Sequence, residues 1–261
     1  MRILTFLSDF GSGSPYPAAM KAAAAAIAEA VVVDISHDVP PQSIRGGAYL
    51  LWSVAPVFPS GTVHCAVVDP GVGTARAALA VVSGGQIFVG PDNGLLLPAA
   101  RRIGSPAVYR LTNPAYWRPS VSATFHGRDI FAPAAAHLVG GAPLGKMGEP
   151  VAAWVDLIFP TGKGKGRVLT GEVLWVDRFG NLITTIPGPL LGTLPAGSAV
   201  VVEAGAARLR ARVARTFADA GPGDAVVFIG SDDLVEVAVT GGSAAARSKA
   251  TPGSEIVIHP A

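Results

Sequence analysis

The chain has 261 residues, half of them hydrophobic, with 32 glycines and 22 prolines, which suffices for one large or two modest domains with a sizeable core and many turns. A formal charge of +2 with scattered basic residues argues against a nucleic-acid partner, since the one short cluster, Lys163, Lys165 and Arg167, is interrupted by glycine. A single cysteine, Cys65, excludes an intrachain disulfide framework, and no uninterrupted apolar run of about twenty residues offers a membrane span.

The segment from Met1 to Leu7 is too short for the apolar part of a secretion signal before Asp9 interrupts it, and a lone cysteine fits a reducing compartment, so a cytoplasmic location is expected. Ile3 to Leu7 reads as an apolar strand that stops at Ser8-Asp9-Phe10-Gly11. Asp9 then stands at a strand's carboxyl end, where ligands sit in open α/β sheets. An ionised carboxylate has two acceptor oxygens and suits a vicinal diol such as a ribose; the alternative is an Asx turn or a helix cap. Gly11 and Gly13 make no dinucleotide fingerprint, because the third glycine position holds Tyr16. Pro17 to Ala30 reads as an alanine-rich helix, Val31 to Ile35 as a second strand, and Ser43 to Val54 as a second helix capped by Ser43. His37 and Asp38 follow the second strand and read as loop supports.

Val63 to Val68 is a β-branched run that breaks at Asp69-Pro70-Gly71, with Cys65 inside it as a small core residue. Asp69 stands at this strand tip and Arg76 a loop away, a pairing that can bind and orient a small polar reactant; a turn-capping aspartate beside a solvated arginine is the alternative. Strand, helix, strand, helix, strand to this point argues for a largely parallel sheet with crossover helices. Leu79 to Val82 and Ile87 to Val89 form a hairpin pattern, Asn93-Gly94 favours a tight turn, and Leu95 to Arg102 reads as helical. His126 lies just before a helix through Leu138, where Asp129 and Arg128 can brace the helix start. It is a candidate third polar group beside Asp69 and Arg76.

Residues 159–166, glycine-rich, read as a linker between an N-terminal α/β domain, 1–158, and a C-terminal domain, 167–261. The latter shows seven short β-rich runs, Arg167 to Val176, Leu182 to Ile186, Ala199 to Glu203, Ala206 to Val213, Ala225 to Ile229, Leu234 to Val239 and Glu255 to Ile258, the pattern of a small antiparallel barrel or sandwich. Within it, Asp177-Arg178-Phe179-Gly180-Asn181 is either a plain β-turn or an adenine contact, with Phe179 offering a face and Asn181 a donor and acceptor side by side.

Together these stretches carry a resemblance. Ser8-Asp9-Phe10-Gly11, Val68-Asp69-Pro70-Gly71-Val72-Gly73-Thr74 with Arg76, Pro91 to Leu96, Thr124 to Pro133 and Asp177 to Asn181 resemble, in this order, the S-adenosyl-L-methionine hydroxide adenosyltransferases, relatives of the fluorinase and chlorinase enzymes. The resemblance covers nearly the whole chain. It implies an α/β domain with an all-β C-terminal barrel, a homotrimer with active sites at subunit interfaces, and hydrolysis of S-adenosylmethionine to adenosine and methionine without metal or cofactor. It implies that Asp69, Arg76 and His126 hold water or hydroxide, with the proton's acceptor, Asp69 or His126, left open. Asp9 would hold the ribose diol, Tyr16 and Phe125 would line the pocket, Phe179 and Asn181 would hold adenine, and Asp177 with Ser231 the methionine end. Ser231-Asp232-Asp233-Leu234 departs from the asparagine-, serine- and glycine-rich turn of the family. Rival readings are a halogenase of the same family, a metal-dependent nucleoside or phosphoester hydrolase using Asp9, Asp69, His126 and Asp129, and a sensor that binds adenosine or S-adenosylmethionine without reaction.

Overall fold

A computed structural model describes residues 2–261; Met1, which begins the expected N-terminal stretch and domain, lies outside the described residues. The chain divides into two compact units, the first ending at Ile158 and the second running Phe159–Ala261.

The first unit contains, in order, β1 (Ile3–Ser8), α1 (Tyr16–Ala25), β2 (Val31–Ser36), α2 (Ile44–Val54), β3 (Val63–Val67), β4 (Ala78–Ser83), β5 (Gln86–Pro91), α3 (Leu97–Ile103), β6 (Ala107–Leu111), α4 (Ala132–Val139), α5 (Leu144–Met147) and β7 (Gly148–Pro150). Its sheet has the order β2-β1-β3-β5-β4-β6-β7. The β2-β1-β3-β5 half is parallel, joined by crossovers, and the β5-β4-β6-β7 half is antiparallel. Alternation along the strands sorts side chains to two faces. Leu4, Phe6, Val63, Cys65 and Val67 join the core formed with Met20 and Ala24 of α1 and Ala134 to Ala136 of α4. On the other face α2 comes in closely at Gly47, where a Cβ would lie 3.0 Å from Leu95 and from Val68. Ser43 caps α2 by accepting from Gly46 N at 3.2 Å, as its sequence position predicts.

The α1 helix stops at Ala25, short of the expected Ala30, because the chain must turn to enter β2, whose Val31 N donates to Arg2 O. The expected Leu95–Arg102 helix begins two residues later at Leu97. The helix after His126 opens with one π-type turn, Gly127–Phe131, before α4.

The second unit contains β8 (Lys163–Lys165), β9 (Val168–Val176), β10 (Leu182–Pro187), β11 (Ala199–Ala204), β12 (Ala207–Val213), β13 (Ala225–Ile229), β14 (Leu234–Val239), α6 (Ala244–Ser248) and β15 (Glu255–Pro260). Seven strands, β10-β14-β13-β12-β11-β15-β9, close into a barrel through the β10–β9 pairing, and β8 adds to the outside of β9. Closure abolishes open edges on those seven strands. Inward residues such as Leu169, Val173, Leu182, Val200, Val202, Leu209, Val227, Val235 and Ile256 fill the interior. Two details differ from the sequence reading. Lys163–Lys165, within the glycine-rich stretch, pairs with β9, and β12 runs parallel to β13 in an otherwise antiparallel barrel.

Behind the sheet of the first unit lies a polar network in an apolar setting. His64 is fully buried, accepts from Thr5 Oγ1 at Nδ1 (2.8 Å) and donates from Nε2 to Gln86 Oε1 (2.8 Å); Gln86 Nε2 donates to Ala55 O and Phe58 O. The ring stacks on Phe88 at 4.8 Å. Burial, partly offset by the Gln86 bond, pushes its pKa down to about 4 from an ordinary 6.5. Between these values the unfolded chain binds the proton and the folded one does not, so this contribution to stability is complete above 6.5 and lost as pH falls toward 4. Denaturant unfolding of the wild type and His64→Gln at pH 7 and pH 4.5 should show the wild type losing up to about 3 kcal/mol more than the variant; equal losses would contradict the assignment.

Candidate active site

The register of the parallel strands collects the candidate residues of the first unit at one sheet edge. Ser8 pairs with Val67, so Asp9, just past β1, stands beside the chain that leads into Asp69. Asn93, on the turn after β5, donates from Nδ2 to Val68 O at 2.8 Å and its Oδ1 accepts from Leu95 N, tying that turn to the end of β3. The segment 69–76 then folds back on itself through Val72 N to Asp69 O and Thr74 N to Gly71 O. Gly73 is needed at its apex: φ is +80°, and a Cβ would sit 2.6 Å from Ala123 O.

This loop returns Arg76 onto Asp69. Arg76 Nε donates to Asp69 Oδ1 and Oδ2 (3.0 and 3.1 Å) and Nη2 to Oδ2 (2.5 Å), a bidentate pair largely removed from solvent. The same Nη2 donates to His126 Nδ1 at 2.7 Å. The guanidinium also lies 5.0 Å from the Phe131 ring centroid. Because Arg76 can only donate, Nδ1 of His126 is an acceptor and the neutral ring carries its hydrogen on Nε2. Burial and the charge of Arg76 hold His126 below its ordinary pKa, against the opposing pull of Asp69 and Asp129. Asp69 and Arg76, on one loop, and His126, 50 residues beyond Arg76, thus form one contiguous group. A cavity of about 230 Å³ opens beside it, lined by Arg76, Ala78, Arg110, Trp117, His126 and Ile130.

The segment carrying His126 is itself braced. Asp129, fully buried, accepts from Arg128 at both oxygens (2.7 and 2.9 Å), from Arg118 Nη1 and from Ser122 N. Burial raises its pKa, but these bonds and the positive charge outweigh it and the net shift is downward. Arg128 lies 4.9 Å from the Phe125 ring centroid. Phe125, Tyr16 and Phe10 form a triangle of edge-on contacts with centroids 5.3 to 5.8 Å apart. Tyr16 is half exposed, so the triangle presents an aromatic wall. Phe10 is the member that sequence reasoning missed, since nothing in Ser8-Asp9-Phe10-Gly11 marks its ring as site-facing. Asp9 Oδ2 accepts from Gln42 N at 2.8 Å, and Gln42 adopts a left-handed φ of 64° to make that bond.

In the second unit, Asp177 organises the turn after β9. Its Oδ1 accepts from Phe179 N (2.9 Å) and Asn181 N (2.8 Å), and its Oδ2 from Asn181 Nδ2 (2.8 Å). Gly180 has φ +82° and sits where a Cβ would collide with Ser243. The turn leaves Phe179 almost fully exposed and Asn181 buried. Ser231 is exposed in the loop between β13 and β14. Glu236 of β14 was missed by the sequence reading: burial first, then the charges of Asp177 and Asp232, push it up to about 7. Among the described residues no group of three or more His, Cys, Asp or Glu gathers as a metal site, and no helix is long and apolar enough to cross a membrane.

Residues 4–148 match the SAM hydroxide adenosyltransferase N-terminal domain, and residues 171–257 the C-terminal domain of the same family. A protein of Salinispora arenicola named (R)-S-adenosyl-L-methionine hydrolase is 45% identical over 97% of this chain and 96% of its own. A fluorinase of Actinoplanes sp. is 28% identical over 90% of each chain. The crystal structure of an uncharacterized conserved protein from Thermotoga maritima superposes with a TM-score of 0.93 at 36% identity, covering 98% of this chain and 99% of that one.

The shared guanidinium has a measurable consequence. NMR titration of the His126 ring should give a pKa below 6.5 with the hydrogen on Nε2, and Arg76→Ala should raise that pKa by removing the neighbouring positive charge. A wild-type value at or above 6.5, or no rise in the variant, would contradict the arrangement.

Proposed function

Because the chain belongs to the SAM hydroxide adenosyltransferase family, we propose that it hydrolyses S-adenosyl-L-methionine to adenosine and L-methionine by attack of water or hydroxide at C5′ of the ribose. The observation that carries this reading is the single guanidinium of Arg76 shared between the carboxylate of Asp69 and Nδ1 of His126.

The sulfonium of the substrate is an activated leaving group, so methionine departs without a general acid. The requirement is a nucleophile held in line behind C5′, and positioning supplies much of the barrier reduction. Arg76 stabilises developing hydroxide electrostatically in a site largely closed to solvent. The hydrogen-bond directions divide the remaining work. His126 has its Nδ1 lone pair occupied by Arg76, so it offers Nε2–H to the water oxygen as a donor. Asp69 keeps lone pairs beyond those facing Arg76 and accepts the proton. The scheme calls for neither metal nor cofactor.

In this reading Asp9 holds the ribose diol through Oδ1, its other oxygen being taken by Gln42 N. Tyr16 and Phe125 line the pocket. Phe179 stacks on adenine, and Asn181, one N–H of which goes to Asp177, reads the base edge with the rest of its amide. Asp177 and Ser231 hold the methionine end. The protein acts in the cytoplasm as a homotrimer with active sites at subunit interfaces, and takes no nucleic acid or membrane partner. A halogenase needs a dry pocket with donors and no competing carboxylate, which Asp69 opposes.

Product analysis of the purified protein with S-adenosylmethionine should give adenosine and methionine at equal rates with and without chloride. Asp69→Ala and His126→Ala should each lower kcat by about 10²- to 10³-fold with the substrate still bound. A 5′-chloro product would identify a halogenase, and intact substrate despite binding would identify a sensor. The trimer has its own check: mixed Asp69→Ala and Asn181→Ala subunits, refolded together, should recover part of the activity that each lacks alone. No recovery would contradict shared sites.

A further inference from the structure

His37, left by the sequence as a loop support without a partner, has two. Its ring is 5% exposed; Nδ1 lies 2.7 Å from Ser8 Oγ and Nε2 lies 3.2 Å from Asp34 Oδ1. Asp34 in turn receives Lys21 Nζ at 2.5 Å. A β-bulge produces this meeting. Phe6 pairs with Asp34 but Leu7 pairs with Ser36, so Ile35 is skipped and the residue just past β2, His37 rather than Ser36, comes beside Ser8. Bulges near active sites re-aim side chains in this way, because a one-residue slip exchanges the two faces of a strand.

The donors and acceptors of this chain run in one direction. A carboxylate only accepts, so Nε2 carries a hydrogen toward Asp34, and in the neutral tautomer Nδ1 accepts from the Ser8 hydroxyl. The Ser8 oxygen is then left to accept from Phe10 N, 3.4 Å away. Asp9 is the residue between these two anchors. The ring's own backbone holds the same loop, since Gly11 N donates to His37 O at 2.7 Å, and the neighbouring Asp38 clamps Ser12 through N and Oγ. Asp9 Oδ2 is fixed by Gln42 N, a bond made at the cost of a left-handed non-glycine backbone, the kind of strain that is kept at functional sites. Ser8 is fully buried and unreachable by substrate, so the Ser8, His37 and Asp34 series is no nucleophile with its base.

We propose that His37, acting through Ser8, is a positioning residue that sets the carboxylate of Asp9 for recognition of a ribose diol. The proposal rests on the reading of Asp9 as the diol ligand.

Equilibrium binding of adenosine and 2′-deoxyadenosine to the full-length protein tests it without depending on turnover. The wild type should prefer adenosine, and Asp9→Ala should abolish the preference. His37→Ala and Ser8→Ala should each weaken adenosine about tenfold and leave 2′-deoxyadenosine nearly unchanged. His37→Gln, which can still bond Asp34 or Ser8, should recover part of the loss, and adding His37→Ala to Asp9→Ala should cost nothing further. With S-adenosylmethionine the same variants should raise KM and largely keep kcat. If His37→Ala fails to fold, Ser8→Ala, which removes one hydroxyl, decides. A wild type without preference, equal weakening of both nucleosides, or losses that add to that of Asp9→Ala would overturn the proposal. Failure of the wild type to hydrolyse S-adenosylmethionine would sink the hydrolase reading alone, because the nucleoside preference would still stand or fall by itself.

Discussion

One guanidinium organises this site. Arg76 is held by both oxygens of Asp69 and gives its remaining reach to His126, in surroundings that largely exclude water. A buried ion pair is costly to desolvate and survives when its geometry is good and its other hydrogen-bonding capacity is used. Here the extra capacity is spent on an imidazole, and that choice dictates the imidazole's state. A protonated ring would set Nδ1–H against Arg76, so the ring stays neutral with its hydrogen on Nε2. In the proposed mechanism, orientation of a nucleophile by His126 and proton acceptance by Asp69 both descend from this one cation.

The rest of the first unit exists to keep that cation in place. Parallel pairing of β1 with β3 brings two strand tips side by side, and the Asn93 amide ties the turn after β5 to the end of β3. Gly73 lets the 69–76 loop close against Ala123, so the segment carrying Arg76 and the segment leading to His126 meet at backbone distance. Asp129 gathers Arg128, Arg118 and Ser122 N and fixes the turn on which His126 stands. The aromatic triangle of Phe10, Tyr16 and Phe125 closes the wall between the Asp9 loop and that turn. Each of these contacts is local and small, and each removes one way for the three polar groups to drift apart.

Much of this was legible in the sequence because the signals were strong. The β-branched run that breaks at Asp69-Pro70-Gly71 is β3, and all seven β-rich runs after residue 166 match barrel strands to within two residues. What was not legible depends on partners distant in the chain. Ala107–Leu111 carries Tyr109 and Arg110 in its middle and becomes β6 because β4 offers it an edge. Lys163–Lys165 has the composition of a linker and becomes β8 on the same principle, by pairing with β9. The parallel β12–β13 pair and the π-type turn at Gly127–Phe131 have no composition signal. His37 lacked a partner in the sequence because Ser8 is 29 residues away and only a bulge brings the two together. The grouping of Asp69, Arg76 and His126 was readable, but the direction of each hydrogen bond was not, and direction is what separates donor from acceptor in the proposed mechanism.

The central claim is that the Asp69, Arg76 and His126 group delivers a water oxygen to C5′. Turnover of S-adenosylmethionine in ¹⁸O-water, with mass analysis of the nucleoside, tests it most directly. The account predicts adenosine carrying one ¹⁸O at the 5′ position together with unlabelled methionine, and loss of that product in Asp69→Ala. Adenosine without the label, or cleavage at the glycosidic bond in place of C5′–S, would contradict it.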